Sequence, residues 1–306
     1  MSVSKLNEIK QRIELLEPLC PNLTTPYGVF PTKGGDSGDD VLWNGLLATV
    51  GYARSQSQVE CSQAQGGEKR AGMWYRNPLR RSNDNEGHAH YFSRDMSLGV
   101  LLMFASSNAG GLDSSSALWL DYVNKNRACS VKKPAWMGKG CLVRSPMYRF
   151  SPDDDRSNIT PSLWSIMGRV WASKGLPLHS CMQDFAGADG DVSIASADIV
   201  PVGYQLHLFA VQAYLKIILG QSAAIRTRIA EICYIRQPDN LFYKLIYQEG
   251  VFADDLDLFL GRCPNPSTFT PADYWLWEKS DQDPKYSCGW DWVFLGKLLL
   301  SLQLGG

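Results

Sequence analysis

Apolar residues recur at helical spacing along most of the chain. Between positions 4 and 19, leucine or isoleucine stands at 6, 9, 13 and 16 among charged residues, and spacing of three or four predicts one apolar face of an α-helix. The segment 36–54 runs from an acidic start into an apolar stretch, and 94–107 is apolar on most sides, which predicts a buried helix. Further helices are predicted at 116–128, 160–175, 203–219, 221–236, 239–249, 252–260, 271–279 and 289–302.

Strand patterns are nearly absent. Alternation of apolar and polar residues, which is typical of half-buried strands, occurs only in a short stretch at 192–199. Polar segments at 55–92 and 129–159, and the segment after 175, are predicted to be long loops. The length of 306 residues allows one large domain or two. We predict an all-α fold that forms a single all-helical domain over residues 1–306.

Composition and charge exclude several classes of protein. The 30 basic and 31 acidic residues give a net charge of −1, which disfavours general nucleic-acid binding because such binding depends on neutralising phosphates. The first 20 residues lack the apolar core of a signal peptide, and no apolar run approaches the length of a membrane span. We therefore predict no membrane partner and synthesis in the cytoplasm, with release by lysis or within a particle left open.

Eight cysteines are spread along the chain without a CxxC pair, which argues against a zinc ribbon or a thioredoxin-type site. Their wide and irregular spacing predicts free, mostly buried thiols. The even count leaves disulfides open. The wider motif search is also negative, because the signatures of P-loop NTPases, dinucleotide-binding proteins, esterases and HExxH metalloproteases are missing. We predict no cofactor.

A pattern of an acidic residue followed four or five positions later by a glycine occurs at three predicted helix starts. The pairs are Asp40 and Gly45, Asp95 and Gly99, and Asp291 and Gly296. A glycine inside a helix costs about 1 kcal/mol relative to alanine, so its repeated use predicts close helix–helix contacts. Helix pairs repeating at about 50 residues indicate a stacked or circular helical array.

The stretch 34–52 is the strongest candidate for a site. Asp36, Asp39 and Asp40 are spaced so that they share one face of a helical turn, and Trp43 lies on the same face. Acidic residues at a helix start are also favourable caps, because they meet free N–H groups and the positive end of the helix dipole. Three acids and an indole exceed what a cap requires, and we therefore predict a site there.

Cleavage of a glycosidic bond by the common route needs two carboxyl groups across the sugar. The 36–40 stretch supplies one, and Asp95, or Asp189 and Asp191, would supply the other. Arg94 would keep a carboxylate ionised or bind an acidic sugar; the alternative is a local pair of charges at a helix start. The residues predicted to stack on the sugar are Trp43, Trp74 and Tyr75.

A second constellation consists of His88, Tyr91 and Arg94. A base, an acid and a cation are what β-elimination on a uronic acid requires, with His90 and Tyr91 as further substrate contacts; the alternative is a solvated pair of histidines. The acids at 153–155 and at 189 and 191 would suit calcium, but they do not fit the EF-hand pattern and are better explained as solvated turns. We predict no metal ion.

The acid-rich helix starts at Asp36–Asp40 and Arg94–Asp95, the aromatic segment 73–78 and the helical chain together resemble the α/α-toroid glycoside hydrolases and polysaccharide lyases. In that superfamily, paired helices form a barrel with the carbohydrate cleft at one rim. Full barrels of twelve helices are generally longer than this chain, so the resemblance implies an incomplete toroid with long loops. Most such enzymes are secreted, and a viral or particle-associated origin would account for the missing signal.

Together these features predict a carbohydrate-active enzyme that hydrolyses glycosidic bonds of a polysaccharide with paired carboxylates. A lyase is the second choice of reaction. The alternative function is a non-catalytic helical protein that binds carbohydrate or forms part of a larger assembly. The sequence leaves the sugar, the reaction type and the oligomeric state open.

Overall fold

The computed structural model describes residues 3–34, 38–88, 90–107, 112–132, 135–137, 141–151, 157–177, 182, 196–220, 223–248 and 250–304. Helices dominate, as predicted. They are α1 (Val3–Leu16), α2 (Asp40–Thr49), α3 (Ala53–Cys61), α4 (Pro78–Ser82), α5 (Arg94–Ser106), α6 (Leu112–Lys125), α7 (Pro161–Ser173), α8 (Tyr204–Ile218), α9 (Ala223–Arg236), α10 (Leu241–Gln248), α11 (Ala253–Arg262) and α12 (Trp290–Leu304). No described helix has the length and apolarity needed to cross a lipid bilayer.

Two antiparallel hairpins depart from the all-α prediction. The first pairs β1 (Asn22–Thr25) with β2 (Gly28–Pro31), and the second pairs β3 (Arg127–Lys132) with β4 (Cys141–Tyr148). The first hairpin lies in a segment rich in proline and glycine that the sequence predicts to be an extended loop. The second lies mostly in the predicted loop 129–159, but its first two residues, 127 and 128, belong to the predicted helix 116–128. The stretch predicted as a strand is helical at 196–199, and the rest of it lies outside the described residues.

Two further predictions of secondary structure are wrong. Helix α3 lies in a predicted loop; it buries only Ser55, Gln58 and Val59, so it shows no apolar stripe. The predicted helix 271–279 is reduced to a 3-10 turn at Leu276–Glu278. Its backbone hydrogen bonds go elsewhere, since the Ala272 N–H donates to the Ser287 carbonyl at 2.9 Å and the Tyr274 carbonyl accepts from the Cys288 N–H at 2.8 Å.

Helices α2 and α5 cross at glycines. A Cβ atom on Gly45 would lie 2.3 Å from the Gly99 carbonyl oxygen, and one on Gly99 would lie 2.1 Å from the Val41 carbonyl oxygen. The backbones are therefore in direct contact, which confirms the close approach predicted for these glycines. The crossing lies about five residues from each helix start, which is about 7.5 Å along each axis, and residues at both starts line one cavity.

One apolar cluster extends from Ile9 in α1 to Leu299 in α12. The buried thiols of Cys20, Cys233, Cys263 and Cys288 are free, and so is the partly buried Cys61. Burial raises the pKa of the Cys233 and Cys263 thiols to about 12, so these groups stay protonated at neutral pH. The prediction of free and mostly buried thiols is confirmed for these five residues. The remaining side chains, of Cys129, Cys141 and Cys181, lie outside the description.

An aromatic group fills the middle of the cluster around His207. The His207 ring lies 5.2 Å from the ring centres of Trp43 and Trp277 and 5.8 Å from that of Phe242. It is fully buried, and neither ring nitrogen has a hydrogen-bond partner among the described residues. Burial lowers the pKa of His207 to about 3, because a charged imidazolium in this position would have no water around it.

Replacing His207 by phenylalanine should reduce the loss of stability in mild acid. The unfolded chain takes up the histidine proton near pH 6.5 and the folded chain does not, so wild-type stability falls as pH falls below that value. Between pH 7 and pH 5 the wild type should lose about 2 kcal/mol more than the variant, as measured by urea unfolding. Parallel stability curves for the wild type and His207→Phe would contradict this account of His207.

Candidate active site

The adjacent starts of α2 and α5 line a cavity of about 260 Å³. Helix α8 closes it through its first residue. We call it the charged cavity; its lining residues are Asp39, Arg76, Ser93, Arg94, Asp95 and Tyr204. Two carboxyl groups predicted from separate parts of the sequence thus face the same space, together with two guanidinium groups and a phenol.

Asp39 is held by cations on both of its carboxylate oxygens. Lys33 Nζ lies 3.3 Å from Oδ2, and Arg76 Nη1 lies 3.1 Å from Oδ1. Arg76 also donates to the Gly38 carbonyl at 2.9 Å and to the His90 carbonyl at 3.2 Å. Asp39 stands at the N-cap position of α2, yet its side chain makes no cap hydrogen bond. The cap alternative therefore does not account for this residue.

Asp95 has a different environment. Burial raises the pKa of its carboxyl, and the negative charge of Asp39 adds to this effect, while the hydrogen bond from Tyr204 and the charge of Arg94 oppose it. The Tyr204 hydroxyl donates to Asp95 Oδ2 at 3.1 Å. One cavity thus holds a carboxylate stabilised by two cations and a carboxyl whose proton is retained to higher pH.

A buried ion pair supports the floor of the site. Lys33 Nζ lies 2.8 Å from Glu278 Oε1, and both side chains are only 10% exposed. The other oxygen of Glu278 accepts the Trp275 N–H at 2.9 Å. Lys33 therefore bridges Asp39 and Glu278, which fixes the orientation of the Asp39 carboxylate against the 3-10 turn at Leu276–Glu278.

A second space of about 380 Å³ adjoins the charged cavity, and Arg94 and Asp95 line both. We call it the mixed cavity because apolar side chains share its walls with hydroxyl and amide groups. Its other lining residues are Leu98, Thr160, Ser162, Leu163, Ile166, Ser196, Leu208, Phe209 and Gln212. The starts of α5 and α7 thus both reach this space, and α8 contributes its second turn.

Asp40 does not face either cavity. Its side chain is 1% exposed, and its two oxygens accept hydrogen bonds from Thr32 Oγ1 at 2.9 Å and from Asn77 Nδ2 at 3.2 Å. These bonds join β2 and the start of α4 to α2. Asp40 therefore has a structural role in place of the predicted catalytic one.

The aromatic residues predicted to stack on sugar are buried as well. Trp43 is 2% exposed and stacks on Trp275 with ring centres 4.6 Å apart. Trp74 is 1% exposed and packs against Phe104 and Trp119, while Tyr75 is 3% exposed. The Tyr75 hydroxyl donates to Asp84 Oδ1 at 2.6 Å. None of these rings presents a face to a ligand in this structure, because core packing covers them.

The histidine constellation does not assemble around the cavities. Tyr91 accepts a hydrogen bond from Arg70 Nη2 at 2.8 Å and packs under that guanidinium. His88 is half-buried, His90 is exposed, and neither lines the charged or the mixed cavity. Of the predicted trio, only Arg94 reaches the site. The predicted acids Asp36, Asp189 and Asp191, and the acidic run at 153–155, lie outside the described residues.

Sequence reasoning missed Lys33, Arg76, Tyr204 and Glu278. Arg76 belongs to the aromatic segment 73–78, whose tryptophan and tyrosine were the predicted sugar contacts. Tyr204 is the first residue of α8 and Asp95 is the second residue of α5, so both lie in the first turn of an apolar helix. A polar residue at the start of an apolar helix was the available signal for Tyr204.

Comparisons with known proteins found no relative of this chain. No protein-family model, no curated protein and no solved structure matches the chain. Within the described part of the chain, no group of three or more histidine, cysteine or acidic side chains is placed to hold a metal ion. The chemistry of the site therefore has to be inferred from the geometry of its residues.

The hydrogen bond between Tyr204 and Asp95 predicts that the pKa of Asp95 changes measurably when Tyr204 is replaced. Because the hydroxyl donates to the ionised carboxylate, replacing Tyr204 by phenylalanine should raise the pKa of Asp95 further. Carboxyl ¹³C resonances followed through a pH titration would measure it. Tyr247→Phe, in α10, should leave the Asp95 resonance unchanged. A lower or unaltered pKa in Tyr204→Phe would show that the bond does not stabilise the carboxylate.

Proposed function

We propose that the protein is a glycoside hydrolase that cleaves a polysaccharide with Asp95 as general acid and Asp39 as the second carboxylate. The observation that carries this proposal is the pairing of a buried carboxyl and a cation-bound carboxylate in one cavity. A carboxyl whose pKa is raised by burial suits a general acid, and a carboxyl bound by two cations suits the partner that acts as a carboxylate. That division of roles is what glycosidic cleavage uses.

In the proposed reaction, Asp95 donates its proton to the glycosidic oxygen as the bond from that oxygen to the anomeric carbon breaks. The oxygen leaves as a hydroxyl on the departing group. Asp39, paired with Lys33 and Arg76, faces the positive charge that develops at the anomeric carbon. One water molecule supplies the new hydroxyl at that carbon, and its second proton restores the carboxylic acid. The separation of the two carboxyls determines whether configuration is retained or inverted.

An incomplete α/α toroid is the scaffold that this proposal implies. Six strongly apolar helices, α2, α5, α7, α8, α10 and α12, are separated in most places by helices with an exposed polar face, such as α3 and α6. Aromatic contacts join the apolar helices across the middle, including Trp43 with His207 and Phe242 with Phe294. Residues at the starts of α2, α5, α7 and α8 line the two cavities. This arrangement supports a ring of inner helices with the site at one rim.

Assay of the purified protein against a panel of neutral, acidic and amino polysaccharides tests the function. We expect new reducing ends from at least one polymer, and none from the same polymer with the double variant Asp39→Asn, Asp95→Asn. The absence of cleavage across the panel, with retained binding to a polymer, would instead favour the non-catalytic alternative. Equal cleavage by the double variant would exclude this pair of carboxyls as the catalytic groups.

A further inference from the structure

We propose that the mixed cavity is the binding site for the departing part of the substrate, and that this part is an uncharged sugar unit. The inference rests on the proposed function. It assigns a second sugar-binding position to the face formed by α5, α7 and α8, and so defines the substrate as a glycan with a sugar on both sides of the cleaved bond.

The position of Asp95 fixes where the bond must lie. Asp95 lines both cavities, whereas Asp39 lines only the charged cavity. A general acid must reach the glycosidic oxygen within hydrogen-bond distance, so that oxygen lies where the cavities meet. The second carboxylate faces the anomeric carbon, which places the sugar that carries this carbon in the charged cavity. The departing group therefore extends into the mixed cavity.

The walls of the mixed cavity match an amphipathic ring. Leu163 and Ile166 on α7 form a buried apolar wall, and Leu208 and Phe209 on α8 are half-buried, so part of their surface stays open to the cavity. A sugar ring presents C–H groups on its face and hydroxyl groups at its edge. The open face of an aromatic or aliphatic side chain suits the former.

The rim of the cavity supplies partners for sugar hydroxyls. These are the side chains of Thr160, Ser162, Ser196 and Gln212, which carry three hydroxyls and one amide. Among the described residues that line the space, only Arg94 and Asp95 are charged, and both lie at its junction with the charged cavity. A charged group of a sugar placed away from this junction would be buried without a partner of opposite charge. The lining therefore favours a neutral sugar unit.

Phe209→Ala tests this assignment when two kinds of substrate are compared. Glycosyl fluorides have fluoride as the departing group and make no contact in the mixed cavity, whereas oligosaccharides of the same sugar fill it. A panel covering common hexoses, pentoses and hexuronic acids identifies a sugar that the wild type cleaves in both forms. Phe209→Ala should lower kcat/KM for the oligosaccharide about tenfold and leave kcat/KM for the fluoride unchanged.

Phe252→Ala is the matched control, because Phe252 is 55% exposed and lines neither cavity. It should leave both substrates unaffected. If Phe209→Ala lowers both activities equally, or neither, the assignment of the mixed cavity is wrong while the proposed function stands. If the wild type cleaves no oligosaccharide and no fluoride, the proposed function fails and the assignment fails with it.

Discussion

Replacing Asp95 by asparagine should lower kcat for polysaccharide cleavage about a thousandfold, the usual contribution of a general acid, while the melting temperature changes little. Asparagine has nearly the same shape and keeps an oxygen to accept the Tyr204 hydroxyl, so the α5–α8 contact survives. What is lost is the proton that the buried carboxyl supplies to the departing oxygen. Initial rates over a range of substrate concentrations, with a thermal melt of the same sample, measure both effects.

Asp40→Asn is the control for Asp95→Asn. It makes the same chemical change at an acid that lies five residues before Gly45 and outside both cavities. An asparagine there offers one acceptor oxygen where the carboxyl offers two, so its NH2 group meets Thr32 only if that hydroxyl turns to accept; weakening this buried pair of hydrogen bonds costs about 1–3 kcal/mol. We expect a lower melting temperature with kcat largely retained. If Asp40→Asn abolished cleavage in a stable protein and Asp95→Asn did not, the roles assigned to the two acids would have to be exchanged.

Replacing Gly45 by alanine should destabilise the protein by about 3 kcal/mol or more. The new methyl group would lie 2.3 Å from the Gly99 carbonyl oxygen and 2.4 Å from its Cα. Both are backbone atoms of a packed helix, so α2 and α5 would have to move apart. The separation would also displace Asp39 relative to Asp95, and activity should fall in the fraction that remains folded. Urea unfolding measures the loss of stability.

Gly168→Ala in α7 controls for the general effect of alanine in a helix. A Cβ at that position meets no atom within 4 Å, so the variant should be as stable as the wild type or gain up to about 1 kcal/mol. If the Gly45 and Gly168 variants unfolded at the same urea concentration, the close contact between α2 and α5 would not exist in solution.

The helical pattern and the glycine spacing were sufficient to predict the close contact between α2 and α5. An acid four or five residues ahead of a glycine places a carboxyl one turn or more before a close crossing. A crossing at glycines does not by itself decide whether the two helix starts lie on the same side, because antiparallel helices would place them on opposite sides. The acid of the pattern in α2, Asp40, is buried outside the cavities, and its neighbour Asp39 is the residue that shares the charged cavity with Asp95.

The burial of individual side chains, and their contacts with residues distant in the sequence, could not be predicted in the same way. Trp43 follows Asp39 by one helical turn, but whether it faces a ligand or the core depends on Trp275 and His207, which are far away in the sequence. The same applies to Asp40, whose partners come from β2 and the start of α4. Arg76 and Tyr204 reach the cavity from separate segments, and no local pattern connects them with Asp39 or Asp95.

Mass spectrometry of the products from the cleaved polymer tests the central claim most directly. A defined oligosaccharide of the susceptible polymer is incubated with the wild type, and the masses of the two fragments are added. Hydrolysis by the Asp39 and Asp95 pair predicts a sum equal to the substrate plus one water molecule, with ¹⁸O at the new reducing end when the reaction is run in H₂¹⁸O. Fragments whose masses add up to the mass of the substrate alone, with no ¹⁸O incorporated, would show that the bond is cleaved by elimination. That result would contradict the proposal that the protein is a hydrolase.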